Sequence, residues 1–414
     1  MELVKKIMII GAGAGQVPII RASKERGLYT LVVSPDGPYP GIPEADKWIP
    51  IDIYDKEAVL SVAKNECIDY VISDQSDFAV PTVAYIAENM GLIGNSSKTA
   101  DIYSDKSIQR KFCVDNHFSV PLSVVIHGES DIKNIPFRFP WVIKPADSQG
   151  SRGIKKVNSV DDAISAYHSA LAYSKKGIVV AEEYIEGTEI VCEGFIVDGE
   201  YINVAFGDRL YFDLKDQFIP SQTVFPSMAF SLAKEKMIEQ DSLFVKESGA
   251  KFGIMHSEYL VSVDGSVHLV ETALRGGGVY ISSHLIRLSS GIDLTNMLLN
   301  YLLLGGEKTR EILYSSRKEC PSSTAYLCFY LKKGKISAIT GVDEIRMNPH
   351  IIISEVDNLH VDMEYKGLIH KGCRLGPFVI ASNNLDELKK DIEWVKEKFH
   401  VYVDNLKDDA IVWL

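Results

Sequence analysis

The sequence has 414 residues, of which 46% are hydrophobic and 24% are charged, and its formal net charge is −12 at pH 7. This composition is typical of a globular protein, and the length predicts about three domains. No block of lysine or arginine occurs, so a nucleic-acid partner is not expected. An anionic ligand would need positive charge from individual lysines and arginines.

Membrane and metal-cluster signals are weak throughout the sequence. The apolar run MLLNYLLLGG at residues 297–306 is too short to span a bilayer. The N-terminal stretch MELVKKIMIIGAGAG is interpreted as a strand that enters a glycine turn, and not as a signal peptide. The six cysteines include no CxxC pair, which argues for reduced thiols and against a zinc site. A cytoplasmic protein without membrane partners is therefore expected.

Residues 5–94 alternate apolar strands with helices, which predicts an α/β unit built on a doubly wound parallel sheet. Its first strand enters the turn GAGAG at residues 11–15, and a helix follows with Pro18 in its first turn and Gly27 at its end. The GxGxxG fingerprint is incomplete, because Gln16 stands where the third glycine would be. Asp36 is the nearest acidic candidate for a ribose contact. A tight turn near a small substrate is favoured over a nicotinamide site.

A second kind of module begins with FPWVIKPADSQGSRGIKKV at residues 139–157, which predicts a strand, a polar glycine loop and another strand. The loop at 147–153 is no Walker A motif, but its small residues let backbone N–H groups close over phosphate oxygens. Lys144 precedes the loop on an otherwise apolar strand. Strand alternation could simply point this lysine outward; beside such a loop, a phosphate contact is favoured.

A helix at 161–173 and further strands follow, with a hairpin turn predicted at Asp198-Gly199. Acidic residues cluster just before that hairpin, and two interpretations stay open. A solvated loop explains most such clusters. A nucleoside pocket would instead use one carboxylate for ribose hydroxyls and the backbone for the adenine edge. The clustered residues are Glu182, Glu183, Glu186 and Glu189.

The stretch HSEYLVSVDGSVHLVETALRGGG at residues 256–278 predicts two strands around a two-residue type I′ turn at Asp264-Gly265. Pairing across that turn places Leu260 opposite Leu269 and Glu258 opposite Glu271. Two facing carboxylates repel, so a divalent cation is expected between them, and Mg²⁺ usually takes one or two carboxylates plus substrate phosphates. The alternative is an exposed hairpin whose glutamates splay into water.

The rest of the sequence predicts an amphipathic helix at 231–252, two helices at 281–305 separated by Gly291, and a separate C-terminal α+β unit. That unit should contain a hairpin turning at residues 332–335 and a helix at 382–399. No chemistry is expected in it. The helix has one apolar stripe, formed by Leu385, Leu388, Ile392, Val395 and Phe399.

Taken in order, these motifs resemble the ATP-grasp superfamily of carboxylate–amine and carboxylate–thiol ligases over about residues 5–305. The resemblance implies an N-terminal doubly wound α/β (pre-ATP-grasp) domain at 1–97, a central ATP-grasp domain at 98–305 and a small α+β domain at 306–414. A mobile lid subdomain would cover about 121–184. The first domain is then a substrate-side fold and not a nucleotide site.

The resemblance also assigns roles to individual residues. Arg275 would face the substrate or intermediate, and Glu258 and Glu271 would bind magnesium. Ala273 stands where the family usually has an asparagine that serves as a further ligand. The implied phosphate contacts are Lys106, Lys144 and the loop residues Gln149, Gly150, Ser151 and Gly153. The implied adenine hinge is Glu182, Glu183, Tyr184 and Ile185, with Glu189 on the ribose.

The implied reaction uses ATP with Mg²⁺ (Mn²⁺ could replace it) to convert a small carboxylate into an acyl phosphate, which an amine then attacks. Lys144 and Arg275 are the implied catalytic residues, and substrate contacts are expected from residues 73–77 and 207–227. A homodimer is common in the family. Three alternatives stay open: a carboxylase that activates bicarbonate, a nucleotide-binding regulatory protein without turnover, and a nicotinamide oxidoreductase.

Overall fold

The computed structural model describes residues 4–148, 151–278, 280–318, 322–404 and 408–414. Turns of 3₁₀ or π helix lie at Ala14–Gln16, Ile281–Leu285, Glu355–Asn358 and Lys371–Cys373. The strands are Lys6–Ile10 (β1), Tyr29–Ser34 (β2), Lys47–Pro50 (β3), Tyr70–Ile72 (β4), Ser123–Ile126 (β5), Trp141–Pro145 (β6), Lys155–Val157 (β7), Val179–Glu183 (β8), Thr188–Val197 (β9), Glu200–Tyr211 (β10), Pro220–Phe225 (β11), Phe252–Val261 (β12), Val267–Ala273 (β13), Ser323–Leu331 (β14), Gly334–Thr340 (β15), Ile351–Ser354 (β16), Glu364–Tyr365 (β17), Leu375–Ser382 (β18), His400–Val403 (β19) and Ile411–Val412 (β20). The helices are Val17–Glu25 (α1), Lys56–Glu66 (α2), Val80–Met90 (α3), Ser97–Ser104 (α4), Lys106–Asp115 (α5), Glu129–Ile132 (α6), Val160–Leu171 (α7), Ser231–Ser248 (α8), Ile286–Ser290 (α9), Leu294–Leu304 (α10), Gly306–Ser315 (α11), Val342–Met347 (α12) and Leu385–Lys398 (α13).

The N-terminal sheet has the order β3-β2-β1-β4, and its strands are parallel. Strands β1, β2 and β4 are buried almost throughout, as expected for a parallel sheet covered on both faces. The predicted α/β class and its strands are confirmed. Strand β3 was not predicted, because this edge strand is partly exposed and lacks a continuous apolar run.

The predicted lid region has its own antiparallel sheet, with the order β5-β8-β6-β7, covered by α7. Ile126, Trp141, Ile143 and Ala181 belong to a core that is distinct from those of the other sheets. Independent movement of this lid region stays a prediction, as do the domain boundaries.

The central sheet has the order β13-β12-β9-β10-β11-β14-β18-β16. The predicted hairpin between β9 and β10 is present, with positive φ at both Asp198 and Gly199 as a type I′ turn requires. Because β11 pairs with β14, the sheet continues through the C-terminal region. The C-terminal unit is therefore not separate from the central strands.

The hairpin predicted at residues 332–335 is wrong. Strand β14 is buried along most of its length and pairs with β11 and β18, so both of its edges are occupied by other strands. Strand β15 instead pairs with β17 and β19 in a small sheet. Helix α13 follows the prediction: Leu388, Ile392, Val395 and Phe399 are buried, and Leu385 packs against them.

The hairpin of β12 and β13 confirms the pairing of Glu258 with Glu271, but the predicted turn and the Leu260–Leu269 pair are wrong. The Gly265 N–H donates to the Ser262 carbonyl, and only Gly265 of the Asp-Gly pair has positive φ, so the turn is one residue longer than a type I′ turn. Leu260 consequently faces His268. A β-bulge between Glu258 and Tyr259 then shifts the register back and restores the facing glutamates.

Within the described ranges, no helix is long and apolar enough to cross a membrane.

Candidate active site

A cavity of about 810 Å³ lies between the lid sheet, the central sheet, the N-terminal domain and the turn Lys371–Cys373. It brings together most of the residues predicted for the site. Gly153 does not line it, and Gln149 and Gly150 lie outside the described residues. The predicted residues that line it are Lys106, Lys144, Ser151, Glu182, Glu183, Tyr184, Ile185, Glu189, Glu258, Glu271 and Arg275.

The facing carboxylates of Glu258 and Glu271 are each bound by a protein cation. Lys106 Nζ donates to Glu271 Oε1 at 2.7 Å, and Arg209 Nη1 donates to Glu258 Oε1. Burial alone would raise the pKa of Glu258, but Arg209 and His256 outweigh it and hold that pKa well below its usual range. The glutamates therefore do not splay into water; each is paired with a protein cation on one wall of the cavity.

This donor set fits a magnesium ion that arrives with a polyphosphate. Two carboxylates lie opposite each other on one sheet face, and Mg²⁺ commonly takes one or two carboxylates while phosphates and waters complete its octahedron. Within the described residues, no cluster of three or more His, Cys, Asp or Glu side chains could hold a metal alone. Ala273 is buried opposite His256 and supplies no oxygen ligand.

Lys144 is buried on β6, and its Nζ lies 2.7 Å from Glu182 Oε2. The other oxygen, Glu182 Oε1, accepts from Arg110 Nε at 3.0 Å and Nη2 at 2.7 Å. Burial lowers the pKa of Lys144, and Glu182 opposes that shift. Glu182 was predicted in the adenine hinge, but its carboxylate is fully engaged by two protein cations. Its position in the structure is that of an anchor for Lys144.

Arg110, on α5, was not predicted from the sequence, although its side chain is hydrogen-bonded to the backbone of β13. Arg110 Nη1 donates to the Leu269 carbonyl at 3.0 Å, and Nη2 donates to the Val270 carbonyl at 2.8 Å, beside the bulge that realigns Glu271. One guanidinium therefore joins the anchor of Lys144 to the strand that carries Glu271. No local pattern marks Arg110, because its partners lie far away in the sequence.

Lys106 is the first residue of α5, where Asp105 caps the helix by accepting from the Ser107 and Ile108 N–H groups. Burial acts to lower the pKa of Lys106, but Glu271 and Asp77 outweigh it and the pKa is raised. Lys106 Nζ also donates to the Ser148 carbonyl at 3.0 Å, at the start of the predicted phosphate loop. This cation thus links the loop to the carboxylate pair.

The base of the phosphate loop is fixed by Asp147, which accepts from the Ser174 hydroxyl at 2.5 Å and from the Lys175 and Lys176 N–H groups at 3.0 Å. Ser151 lines the cavity with positive φ. Gly153 is needed for packing instead, because a Cβ there would lie 2.9 Å from Tyr173 Cδ2 and 3.1 Å from Ala170 Cα.

The predicted adenine hinge leaves a backbone donor in the cavity. Ile185 lines the cavity, and its N–H has no hydrogen-bond partner in the part of the chain that the structure describes. Unpaired backbone donors usually bind water or a ligand, and an adenine edge offers an acceptor. The adjacent Tyr184 ring lies beneath Lys156 Nζ, 3.6 Å from the ring centroid.

Glu189 meets Arg209 and Tyr211 on the neighbouring strand β10. Arg209 Nη1 donates to Glu189 Oε1 at 2.7 Å, and the Tyr211 hydroxyl donates to Oε2. Since Arg209 also binds Glu258, it connects the predicted ribose carboxylate with the predicted metal carboxylate. Arg209 lies within the segment 207–227 where substrate contacts were expected, but that segment follows no recognisable motif.

Arg275 lies where the N-terminal domain meets the central sheet. Its Nε and Nη2 donate to Asp77 at 2.8 and 3.1 Å, and its Nη1 donates to the Gly276 carbonyl at 3.1 Å, which leaves one hydrogen on each Nη for a ligand. The following Gly276 donates its N–H to Asp74 Oδ1 at 3.1 Å, and a Cβ at Gly276 would lie 2.3 Å from Ser282 Oγ. Both aspartates belong to the segment 73–77 predicted to contact substrate.

Asp74 should make stability depend on pH. Burial raises the pKa of this fully buried carboxyl from 3.8 to about 6, against hydrogen bonds from the Gly276 N–H and the Thr295 hydroxyl. The raised pKa means that the folded state binds this proton more tightly than the unfolded state. The stabilisation of the folded state by the protonated Asp74 carboxyl is therefore complete below about pH 4, and it is lost as the pH rises through 6.

We expect Asp74→Asn to stabilise the protein at pH 8, by up to about 3 kcal/mol, and to lose that advantage near pH 4. The amide oxygen can keep the N–H donors of Gly276 and Gln75 while the amide nitrogen donates to the Thr295 hydroxyl. Thermal unfolding of both proteins across this pH range, with the exposed Asp36→Asn as the control, measures the effect. An advantage that is independent of pH would contradict it.

Comparison with known proteins agrees with this geometry. Residues 137–283 match the family model of the ATP-grasp domain. Alanine–anticapsin ligase of Bacillus subtilis is 23% identical over 277 residues, 61% of this chain and 57% of the relative. D-alanine–D-alanine ligase of Ralstonia pickettii is 29% identical over 149 residues, 35% of this chain and 44% of the relative. The chain thus spans only about half the length of these curated relatives.

Two solved structures extend the likeness to nearly the whole chain. L-amino acid ligase from Bacillus licheniformis has a TM-score of 0.82 at 18% identity, covering 98% of this chain and 100% of that chain. Phosphoribosylglycinamide synthetase from Anaerococcus prevotii has a TM-score of 0.75 at 18% identity, covering 97% and 100%. At this identity the two structures define the fold class. The match of residues 137–283 to the ATP-grasp domain confirms the predicted resemblance, and the two structures agree with it in fold.

Proposed function

We propose that this chain is an ATP-dependent ligase, which phosphorylates a small carboxylate with ATP and joins the resulting acyl phosphate to an amine. ADP leaves after the first step and phosphate after the second. One observation carries the proposal: the facing carboxylates Glu258 and Glu271 share a cavity with the lysines Lys106 and Lys144. A site with two fixed anions and two fixed cations is suited to a magnesium-bound polyphosphate.

Bringing a carboxylate to a triphosphate opposes two anions, and the residues of the cavity would reduce that repulsion. Magnesium held by Glu258 and Glu271 would neutralise phosphate charge during transfer. Lys106 and Lys144 would bind phosphate oxygens as point charges. The remaining hydrogens on Nη1 and Nη2 of Arg275 would hold the substrate carboxylate with two parallel hydrogen bonds, since Asp77 and the Gly276 carbonyl take only one hydrogen from each nitrogen.

The nucleoside end would lie at the hinge. The free N–H of Ile185 suits an adenine acceptor, and Glu189 is proposed to bind the ribose after Arg209 releases one of its two carboxylates. Closure of the 147–153 loop would exclude water, which otherwise hydrolyses an acyl phosphate. The relatives whose names describe ligases of alanine and of D-alanine support amino acids as the first substrates to test.

The test is ADP release by the full chain with pools of amino acids, hydroxy acids and other small acids and amines, with and without Mg²⁺. The expected result is Mg²⁺-dependent ADP formation that requires both an acid and an amine, with the amide product visible by mass spectrometry. ATP binding without ADP formation over the whole panel would sink the proposal and favour the regulatory alternative.

A carboxylase that activates bicarbonate is the second candidate. N5-carboxyaminoimidazole ribonucleotide synthetase from Thermotoga maritima has a TM-score of 0.68 and is matched over 97% of this chain. The resemblance supports this candidate at Ala273 as well, because it implies alanine at this point in the ATP-dependent carboxylase subunit of purine synthesis. Phosphate release that depends on bicarbonate and on no other acid would select this candidate.

A further inference from the structure

The C-terminal region contributes a cationic turn to the cavity, although its sequence predicted no chemistry. Lys371, in the turn Lys371–Cys373, and Arg374, which follows it, both line the cavity beside the central sheet. Arg374 holds this turn in place: its Nη1 donates to the Pro220 carbonyl at 2.6 Å, and its Nε donates to the Lys371 carbonyl at 3.0 Å. The turn is therefore tied to β11 and presents Lys371 from a fixed backbone.

The cations at this end of the cavity differ in how they are neutralised. Arg209 binds Glu189 and Glu258, and Arg275 binds Asp77. Within the residues that the structure describes, Lys371 Nζ has neither a hydrogen-bond partner nor an ion-pair partner. Lys371 is thus an amine without a counterion on the wall of the cavity.

Electrostatics at Lys371 agree with this arrangement. Burial, together with the like charges of Arg374 and Arg209, lowers the pKa of Lys371 to about 7, while Glu258 opposes the shift only in part. Repulsion of this kind is relieved when an anion enters, because an opposite charge nearby favours the protonated amine. Lys106 and Lys144 are ion-paired with Glu271 and Glu182, whereas Lys371 is close enough to Arg209, Glu258 and Arg275 for their charges to act on it.

We propose that Lys371 binds an anionic group of a substrate, a carboxylate or phosphate other than the carboxylate that is phosphorylated. The inference rests on the proposed ligase function and narrows its substrates to those that carry a second anionic group. That group could belong to the amine, as in an amino acid, or to the acid, as in a dicarboxylic or phosphorylated acid. The binding chemistry is the same in both cases.

A binding experiment tests the site without any need for turnover. The full chain is saturated with a non-hydrolysable ATP analogue and Mg²⁺, and its Tm is measured with amino acids, with dicarboxylic acids, with phosphorylated acids, and with the matching carboxamides or dephosphorylated acids. At least one anionic compound should raise the Tm of the wild type, and its neutral analogue should not. Lys371→Met should abolish that rise, whereas Lys366→Met, at an exposed lysine in the same segment, should keep it.

Turnover then identifies the source of the anion. For an active acid–amine pair, Lys371→Met should raise KM for the anionic substrate by about 10-fold or more and leave KM for ATP unchanged, as expected for one lost hydrogen bond to a charged group. Replacing the amino acid by its carboxamide, the second carboxylate by its ester or the phosphorylated acid by its dephosphorylated form shows which substrate carries the group. The source of the anion is the substrate whose neutral form has the same KM with the wild type and with Lys371→Met.

Two sets of results would overturn the site. One is an unchanged Tm response in Lys371→Met, or no anion that stabilises the wild type. The other is a fall in kcat that is equal for charged and neutral substrates and shifts the pH profile, which would make Lys371 a proton acceptor. Absence of ADP formation by the wild type would reject the ligase proposal but leave the Tm result standing, so the two failures are distinguishable.

Discussion

Glu271→Gln is expected to lower the rate of ADP formation by at least about 10²-fold while the protein stays folded. The substitution removes one of the two facing charges and keeps the size of the side chain and an acceptor for Lys106. The loss should follow from weaker binding of the magnesium that accompanies ATP, so additional Mg²⁺ should recover part of the rate. ADP release measured over a range of Mg²⁺ concentrations gives the result.

Glu186→Gln is the matched control, since Glu186 is exposed beside the hinge and does not line the cavity. It should retain wild-type turnover. Near-wild-type ADP release by Glu271→Gln would falsify the metal assignment.

Glu182→Leu is expected to lower the free energy of unfolding by about 3–5 kcal/mol. The substitution leaves Arg110 and Lys144 buried beside each other without their shared counterion. A buried uncompensated charge costs far more than a lost surface ion pair. Urea unfolding of the variant and the wild type measures the difference.

Lys144→Ala separates stability from turnover at the same cluster. Arg110 keeps its two hydrogen bonds to Glu182 in this variant, so the loss of stability should be smaller than in Glu182→Leu. ADP formation should nevertheless fall by at least about 10²-fold if Lys144 contacts the phosphates. Equal losses of stability in the two variants would contradict the predicted difference between them. Full turnover in Lys144→Ala would show that the cluster has only a structural role.

Local patterns predicted the parts of the fold that local physics determines. Buried parallel strands have continuous apolar runs, and α13 has a stripe at helical spacing, so both were found. The chain does not state which strands pair, however, and the strand Ser323–Leu331 was therefore given its sequence neighbour as a partner. Its true partners, β11 and β18, depend on the packing of the whole sheet.

The site shows the same division between local and distant determinants. Glu258 and Glu271 were paired correctly, although the longer turn and the bulge each shift the register by one residue and cancel. Lys144 was recognisable as a lysine on an apolar strand. Arg110, Arg209 and Lys371 were not, because each acquires its place in or behind the cavity wall through contacts with elements distant in sequence.

The pairing of β11 with β14 has a consequence for how the chain matures during synthesis. A ribosome-bound chain that ends near residue 305 already contains β11, but its open edge has no neighbour until β14 emerges. Such an edge can capture strands of other nascent chains, so this interval is a period of exposure to aggregation. The strands after residue 305 thus close the central sheet, and chaperone dependence should concentrate in the time needed to make them.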